Sequence, residues 1–424
     1  MTLALSENRK LRIATLCALY FAQGVPWGFV AITLRAFFTE GGMDAVTLGG
    51  FLAIAHAPWA FKPLWAPVID SVRYPAMGQR RPWILLAQGM MTLTVAAMLA
   101  VPDLVAQLTV LAWLVAVHNT FSALQDVATD AMAVDLLTEA ERGRANGMMY
   151  GAKILGGAIG GAGMTDIVTN HGMSAALVLL TVVMCAAVLF PLVCVERPGE
   201  RRFPWSPGEA STTSEPTTER IALLVFGLVR AFSMRATVVG GLVALGVSVG
   251  AGVLSVVGTV LYIQHLGWTK TMHANYSTAS LFIGVLGSVA GGWLADRFGA
   301  RRVIAGATVL LGGAWLVFGA AESMWRVEWF AGGLMIAEAV FLYALLAGFM
   351  TLFMQVSWPV VAATQFTVYM ALLNASTTIG TAAGGFLNGY LDFQQLFLAA
   401  GALQLLLLVG LPLIDPQQTE RELG

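Results

Sequence analysis

Three carboxylates crowd into residues 125–135, QDVATDAMAVD, of a chain that is 58% hydrophobic and only 11% charged. Around them Asn119, Ser122, Gln125, Asp126, Thr129 and Asp130 recur every three or four positions, which draws one polar stripe along a helix. The neighbouring runs LAWLVAV and MMYGAKIL suit lipid, so the stripe should face a bundle interior or a wet cavity. Asp126 and Asp130 stand one turn apart on it. Asp135 lies about half a helical circumference from Asp126 and is expected to pair with a loop arginine. Lys62 and Lys153 read as intramembrane cations; with Asp130, each falls roughly 10–12 Å from its helix end. Such a set supports two chemistries. One is a static ion network that locks helices together; the other is a carboxylate that exchanges a proton as the site opens to alternate sides. One elementary charge crossing a membrane releases about 2.3 kcal/mol per 100 mV, enough to sustain accumulation of a solute. Glu338, the lone acid in LMIAEAVFLYALL, reads as a substrate or proton contact, whereas His56 and His118 read as helix-to-helix hydrogen bonds.

The elements that must hold these groups are membrane helices. Soluble domains are about 25% charged, and this chain departs from them toward lipid, with a mean hydropathy of +0.76. A formal net charge of −1 gives no support to nucleic-acid binding. Cys17, Cys185 and Cys194 sit in apolar runs without metal-ligand spacing, so neither a metal nor a cofactor is expected. Arg9, Lys10 and Arg12 precede an apolar run longer than a signal-peptide core, which reads as a retained first span. Runs of roughly 20 apolar residues predict an all-α membrane protein with about twelve spans. They fall at 13–37, 45–69, 83–102, 106–136, 145–168, 173–194, 236–264, 273–295, 302–321, 328–356, 360–386 and 393–414.

Arginine and lysine collect on one side of these spans; the opposite loops carry little more than Arg35, Lys270 and Arg326, which predicts cytoplasmic termini. Residues 196–220, rich in Pro, Ser, Thr and charge, read as a linker, and IALLVFGLVRAFSM after it as a helix on the membrane surface. The expected organisation is a six-helix half at 1–195, a linker with that surface helix at 196–235, and a second six-helix half at 236–424. An internal echo supports two halves. ADRFGARR, with Asp296, Arg297, Gly299 and Arg301, follows the eighth span; Asp70, Arg73, Arg80 and Arg81 follow the second, about half a chain earlier. These loops read as gates, with Asp70 set against the N-terminal dipole of the eleventh span. Gly156/Gly160 and Gly157/Gly161 in the fifth span, and Gly380/Gly384 in the eleventh, allow close helix approach. In the first span Gly24 and Pro26 interrupt YFAQGVPWGF, which makes Gln23 and Trp27 candidates for a cavity wall. No zinc-protease HExxH run or nucleophile–base pair accompanies the acids, which disfavours an enzyme, and the intact acidic stripe and paired gate loops disfavour a non-transporting sensor.

GWLADRFGARR resembles the loop signature of the major facilitator superfamily. Within it, KPLWAPVIDSVRYPAMGQRRPWIL, QDVATDAMAVDLL, ERGRANGMMYGAKILGG and AATQFTVYMALLN are similar to the AmpG-type branch of muropeptide permeases, acetyl-CoA transporters and siderophore permeases. Lys62, Asp126, Asp130, Lys153, Thr364 and Gln365 fall at matching positions, and Gln125 and Asn374 join them as expected cavity residues. The resemblance implies proton-coupled uptake of an amphiphilic, often sugar-containing solute into the cytoplasm; the expected setting is a monomeric symporter in a bacterial inner membrane. An anhydromuropeptide is the leading substrate; a siderophore, a CoA thioester or another sugar-like solute is the alternative. The chain departs from that branch in having about twelve spans and in reading Tyr-Gly-Ala-Lys at 150–153.

Overall fold

The computed structural model describes residues 3–71, 75–137, 139–206, 226–358 and 361–423. Arg73 and residues 207–225 of the expected linker region lie outside them, as do the side chains of Asp70, Arg142 and Arg144. Among the described residues the only extended pairing is a single bridge between Ala4 and Val195; the rest of the regular structure is helical. Eight helical segments are long and apolar enough to cross a membrane by length and composition. Their outward faces carry large apolar side chains such as Trp113, Leu286 and Trp329, each about two-thirds exposed. That surface is stable only where water is absent.

The chain forms two compact units, Met1–Leu34 with Leu64–Thr218, and Arg35–Pro63 with Glu219–Gly424. The first contains α1 (Arg9–Gly28), α4 (Trp65–Ser71), α5 (Arg81–Met98), α6 (Leu108–Leu136), α7 (Glu139–Ala158), α8 (Met164–His171) and α9 (Met173–Val193). Asn8 starts α1 by accepting a hydrogen bond from the Leu11 amide at 3.1 Å. Helix α1 lies along α7, while α5 packs between α6 and α9. The α1–α7 seam depends on glycine. A Cβ at Gly24 would lie 2.1 Å from the Lys153 carbonyl, and one at Gly160 would lie 1.9 Å from the Val25 carbonyl.

Pro26 does not end α1. A π-helical turn at Phe29–Leu34 follows it, opposite a second π turn at Ile159–Gly163. The Thr33 hydroxyl lies 2.8 Å from the carbonyls of both Gly160 and Gly161 and 2.9 Å from the Thr165 hydroxyl. The hydroxyl thereby adds a donor to carbonyls of the π turn inside lipid, where water cannot serve.

The second unit contains α2 (Arg35–Glu40), α3 (Ala45–Ala60), α10 (Arg235–Val247), α11 (Val249–Val260), α12 (Lys270–Phe298), α13 (Ala300–Ala320), α14 (Glu328–Val356), α15 (Ala362–Leu387), α16 (Phe393–Leu406) and α17 (Gln418–Leu423). Its core is aromatic, with Trp315, Phe318, Phe349, Phe353, Tyr369 and Phe397 fully buried. Helix α3 lies against α15, where a Cβ at Gly49 would meet the Thr381 carbonyl at 2.7 Å.

The expected span 45–69 is not continuous. Helix α3 stops at Ala60, and a short 3-10 turn at Lys62–Leu64 separates it from α4. The cause is local: Pro63 disfavours helical backbone at Lys62, and Phe61 turns back to the Pro58 carbonyl at 3.2 Å. Of the expected surface helix, residues 226–231 are helical, and Arg235 opens α10.

Candidate substrate and proton site

The acidic stripe of α6 faces the interior of the first unit. Gln125, Asp126 and Thr129 are buried, and Asp130 is half-buried. The Lys153 ammonium of α7 stands 3.6 Å from Asp126 Oδ1 and 5.7 Å from the centre of the Tyr20 ring. Tyr20 of α1 donates its phenol proton to Asp130 Oδ1. Among the contacts of these two carboxylates, one turn apart, are thus an ammonium at Asp126 and a phenol at Asp130. Gln125 Nε2 donates to the Leu19 carbonyl at 3.2 Å, while its Oε1 and the Thr129 hydroxyl are buried with no hydrogen-bond partner among the described residues. The Gln23 amide is in the same condition at both its atoms. Buried polar groups are seldom left so. Trp27 is half-buried.

Other expected residues are distributed differently. Lys62, on its 3-10 turn, belongs to the second unit, whereas Asp126, Asp130 and Lys153 belong to the first. Gln365 is fully buried; it accepts from the Trp358 amide at 2.9 Å and reaches the Thr237 hydroxyl at 3.3 Å, so it ties α10 to α15. Asn374 of α15 donates to the Trp59 carbonyl of α3 at 3.3 Å, and Thr364 is half-buried. Glu338, on α14, lines a cavity that also contains Arg35. His118 meets Thr94 of α5 at 3.2 Å, an interhelical contact as expected, but His56 bonds within its own helix, to the Leu52 carbonyl at 2.7 Å.

The loop residues of the first unit form a dense polar knot. Asp135 pairs with Arg80 at 3.0 Å, the loop-arginine partner expected for it. Arg81, buried, donates to the carbonyls of Pro191, Leu192, Arg201 and Arg202 at 2.6–3.0 Å. Glu196 accepts from the amides of Gln79 and Arg80 at the start of α5. Gly78, at φ 99°, leaves room for it; a Cβ there would lie 2.8 Å from the Glu196 carboxyl. Burial pushes Glu196 above the usual carboxylate range, against the pull of those amides. Burial likewise pushes Glu200 up to about 7, opposed by the Arg197 amide and reinforced by Glu196. Arg12 grips Glu141 with one guanidinium nitrogen at 3.1 and 2.9 Å from its two oxygens. In the second unit, Asp296 and Arg297 are exposed, Gly299 (φ 90°) makes the turn from α12 to α13, and Arg301 reaches the Ile414 carbonyl at 3.4 Å.

Sequence reasoning missed Tyr20 and Arg35. Tyr20 opens the interrupted YFAQGVPWGF stretch three residues before Gln23, where nothing signals which helix it meets, and Arg35 reads as a loop charge.

The sequence profile described as the Major Facilitator Superfamily matches residues 13–272. The chain belongs to this superfamily. It is a multi-pass membrane transporter rather than an enzyme. Over 132 residues, 31% of the chain, the transporter is 37% identical to the anhydromuropeptide permease of Escherichia coli (strain K12), which supports the AmpG-type branch. That match spans 26% of the permease's length. In fold the transporter is similar to the D-xylose-proton symporter (TM-score 0.72, 12% identity, 96% of this chain and 98% of that one). It is also similar to the nucleoside transporter NupG (TM-score 0.70, 14% identity, 95% and 98%).

Proposed function

We propose that this transporter couples proton entry to import of an amphiphilic, anhydromuropeptide-type solute across a bacterial inner membrane, as a monomer with both termini cytoplasmic. The observation that carries the reading is the paired arrangement of Asp126 with Lys153 and Asp130 with Tyr20 inside the first unit. A proton on Asp126 removes its attraction for Lys153; a proton on Asp130 removes the charge that strengthens the bond from the phenol. Either event loosens α1 and α7 relative to α6, so protonation and helix rearrangement are one step. Gln23, Gln125 and Thr129 supply the hydrogen-bonding groups that meet the solute. The substrate class comes from the partial likeness to the Escherichia coli permease. Alternating access is then movement of the 1–195 half against the 236–424 half, joined by 196–235. The loop sets of Asp70, Arg73, Arg80 and Arg81, and of Asp296, Arg297, Gly299 and Arg301, close one face.

The test is uptake of labelled anhydromuropeptide into proteoliposomes under an imposed pH gradient. Accumulation is expected in the wild type and loss of it in Asp126→Asn and Asp130→Asn, with solute exchange at zero gradient retained. Accumulation of a siderophore or CoA thioester instead would refute the substrate while leaving the coupling intact.

A further inference from the structure

The second unit holds its own polar cavity, of about 180 Å3, lined in part by Arg35, Tyr262, His273, Ser277, Ser280 and Glu338. His273, Ser277 and Ser280 follow one another by four and three residues along α12, so they form a single stripe. All three are buried, and His273 Nδ1, Ser277 Oγ and Ser280 Oγ have no hydrogen-bond partner among the described residues. Arg35 Nε is buried in the same condition, although one terminal nitrogen donates to the Ser255 carbonyl at 3.2 Å and so fixes the guanidinium. Tyr262, by contrast, already spends its phenol proton on the Ala331 carbonyl at 3.2 Å. Four unmet polar atoms around one void ask for a ligand with several donors and acceptors.

Charge and volume narrow its chemistry. The lining offers one guanidinium and one carboxylate, so it suits a ligand that carries both opposite charges. At about 180 Å3, the cavity is smaller than the roughly 300–1,000 Å3 of drug-sized sites. Its size suits one small head group. We propose that this cavity binds the zwitterionic head of an amino acid, its carboxylate on Arg35, its ammonium on Glu338, and its remaining polar edge on the α12 stripe. The proposal deepens the transport reading, because such a head on the carried solute would give the second unit a grip of its own.

Binding to the purified full chain in nanodiscs, without any pH gradient, tests it by saturation-transfer NMR. The probes are alanine, alaninamide, N-acetylalanine and glucose. Alanine should bind at least about tenfold more tightly than either blocked form, as one lost charge-assisted hydrogen bond implies. Arg35→Gln should erase the preference over alaninamide, and Glu338→Gln the preference over N-acetylalanine. The double variant Arg35→Gln/Glu338→Gln preserves net charge; if it elutes and melts like the wild type yet loses alanine, misfolding is excluded as the cause. Equal binding of alanine and alaninamide, or glucose binding with the same sensitivity to both variants, overturns the proposal. Gradient-driven muropeptide uptake without alanine binding would sink this cavity and spare the transport reading; alanine binding without such uptake would do the reverse.

Discussion

At the scale of single residues, an ammonium and a phenol stand against two neighbouring acids of the transporter. Asp126 faces an ammonium and Asp130 accepts a phenol proton. Tyr20→Phe removes one charge-assisted hydrogen bond, worth about 1.5–3 kcal/mol. It should cut gradient-driven accumulation about tenfold or more while leaving exchange at zero gradient near wild type; an unchanged ratio of the two rates would show that the phenol takes no part. A separate prediction concerns Glu200, which lies outside the spans. Its folded-state value is raised from an ordinary 4.5 to about 7. The stability it contributes is therefore fully present below about pH 4.5 and lost as pH rises through about 7. Amide protection of residues 194–202 should fall between pH 5 and 8 in the wild type and hold level in Glu200→Gln. The three acids and Lys153 were legible in the sequence because a polar stripe on a lipid-compatible helix has few places to go. Tyr20 was not, because a tyrosine in an apolar run carries no sign of which helix it will meet.

At the scale of elements, α1 and α7 are held at backbone contact by glycine, and that contact sets where Lys153 stands relative to Asp126. Gly24→Val would press three carbons against the Lys153 carbonyl. Overpacking of this kind costs typically about 1–3 kcal/mol. The variant should melt earlier and lose coupled uptake more than Gly151→Val, whose Cβ position is open. Equal effects at the two sites would refute the seam. The helices were visible in hydrophobic run lengths, which follow from the thickness of the lipid core. The π turns at Phe29–Leu34 and Ile159–Gly163 were not, since each answers the other across a helix pair rather than any local signal. The break at Lys62 was readable in principle from Pro58 and Pro63, yet apolar continuity masked it.

At the scale of the whole molecule, the sequence suggests two successive six-helix halves, while compactness places Arg35–Pro63 with the C-terminal helices. Helix α3 and α15 approach through Gly49 and Gly385: a Cβ at Gly49 would lie 2.8 Å from the Gly385 Cα, and one at Gly385 would lie 2.7 Å from the Ala45 carbonyl. Hydropathy reports only that a helix is apolar, not which apolar neighbour it selects. Fragments 1–206 and 226–424, co-expressed, should therefore purify together, and Gly385→Val should separate them; fragments that never associate would contradict this packing. The central claim remains that protons and solute move as one event through the Asp126–Lys153 and Asp130–Tyr20 pairs. Proteoliposomes filled with a pH-sensitive dye test it most directly. Addition of anhydromuropeptide outside should acidify the lumen of wild-type vesicles, and the signal should vanish in Asp126→Asn and Asp130→Asn although the solute still binds. Solute entry with no change in lumenal pH, or an undiminished signal in both variants, would contradict the account.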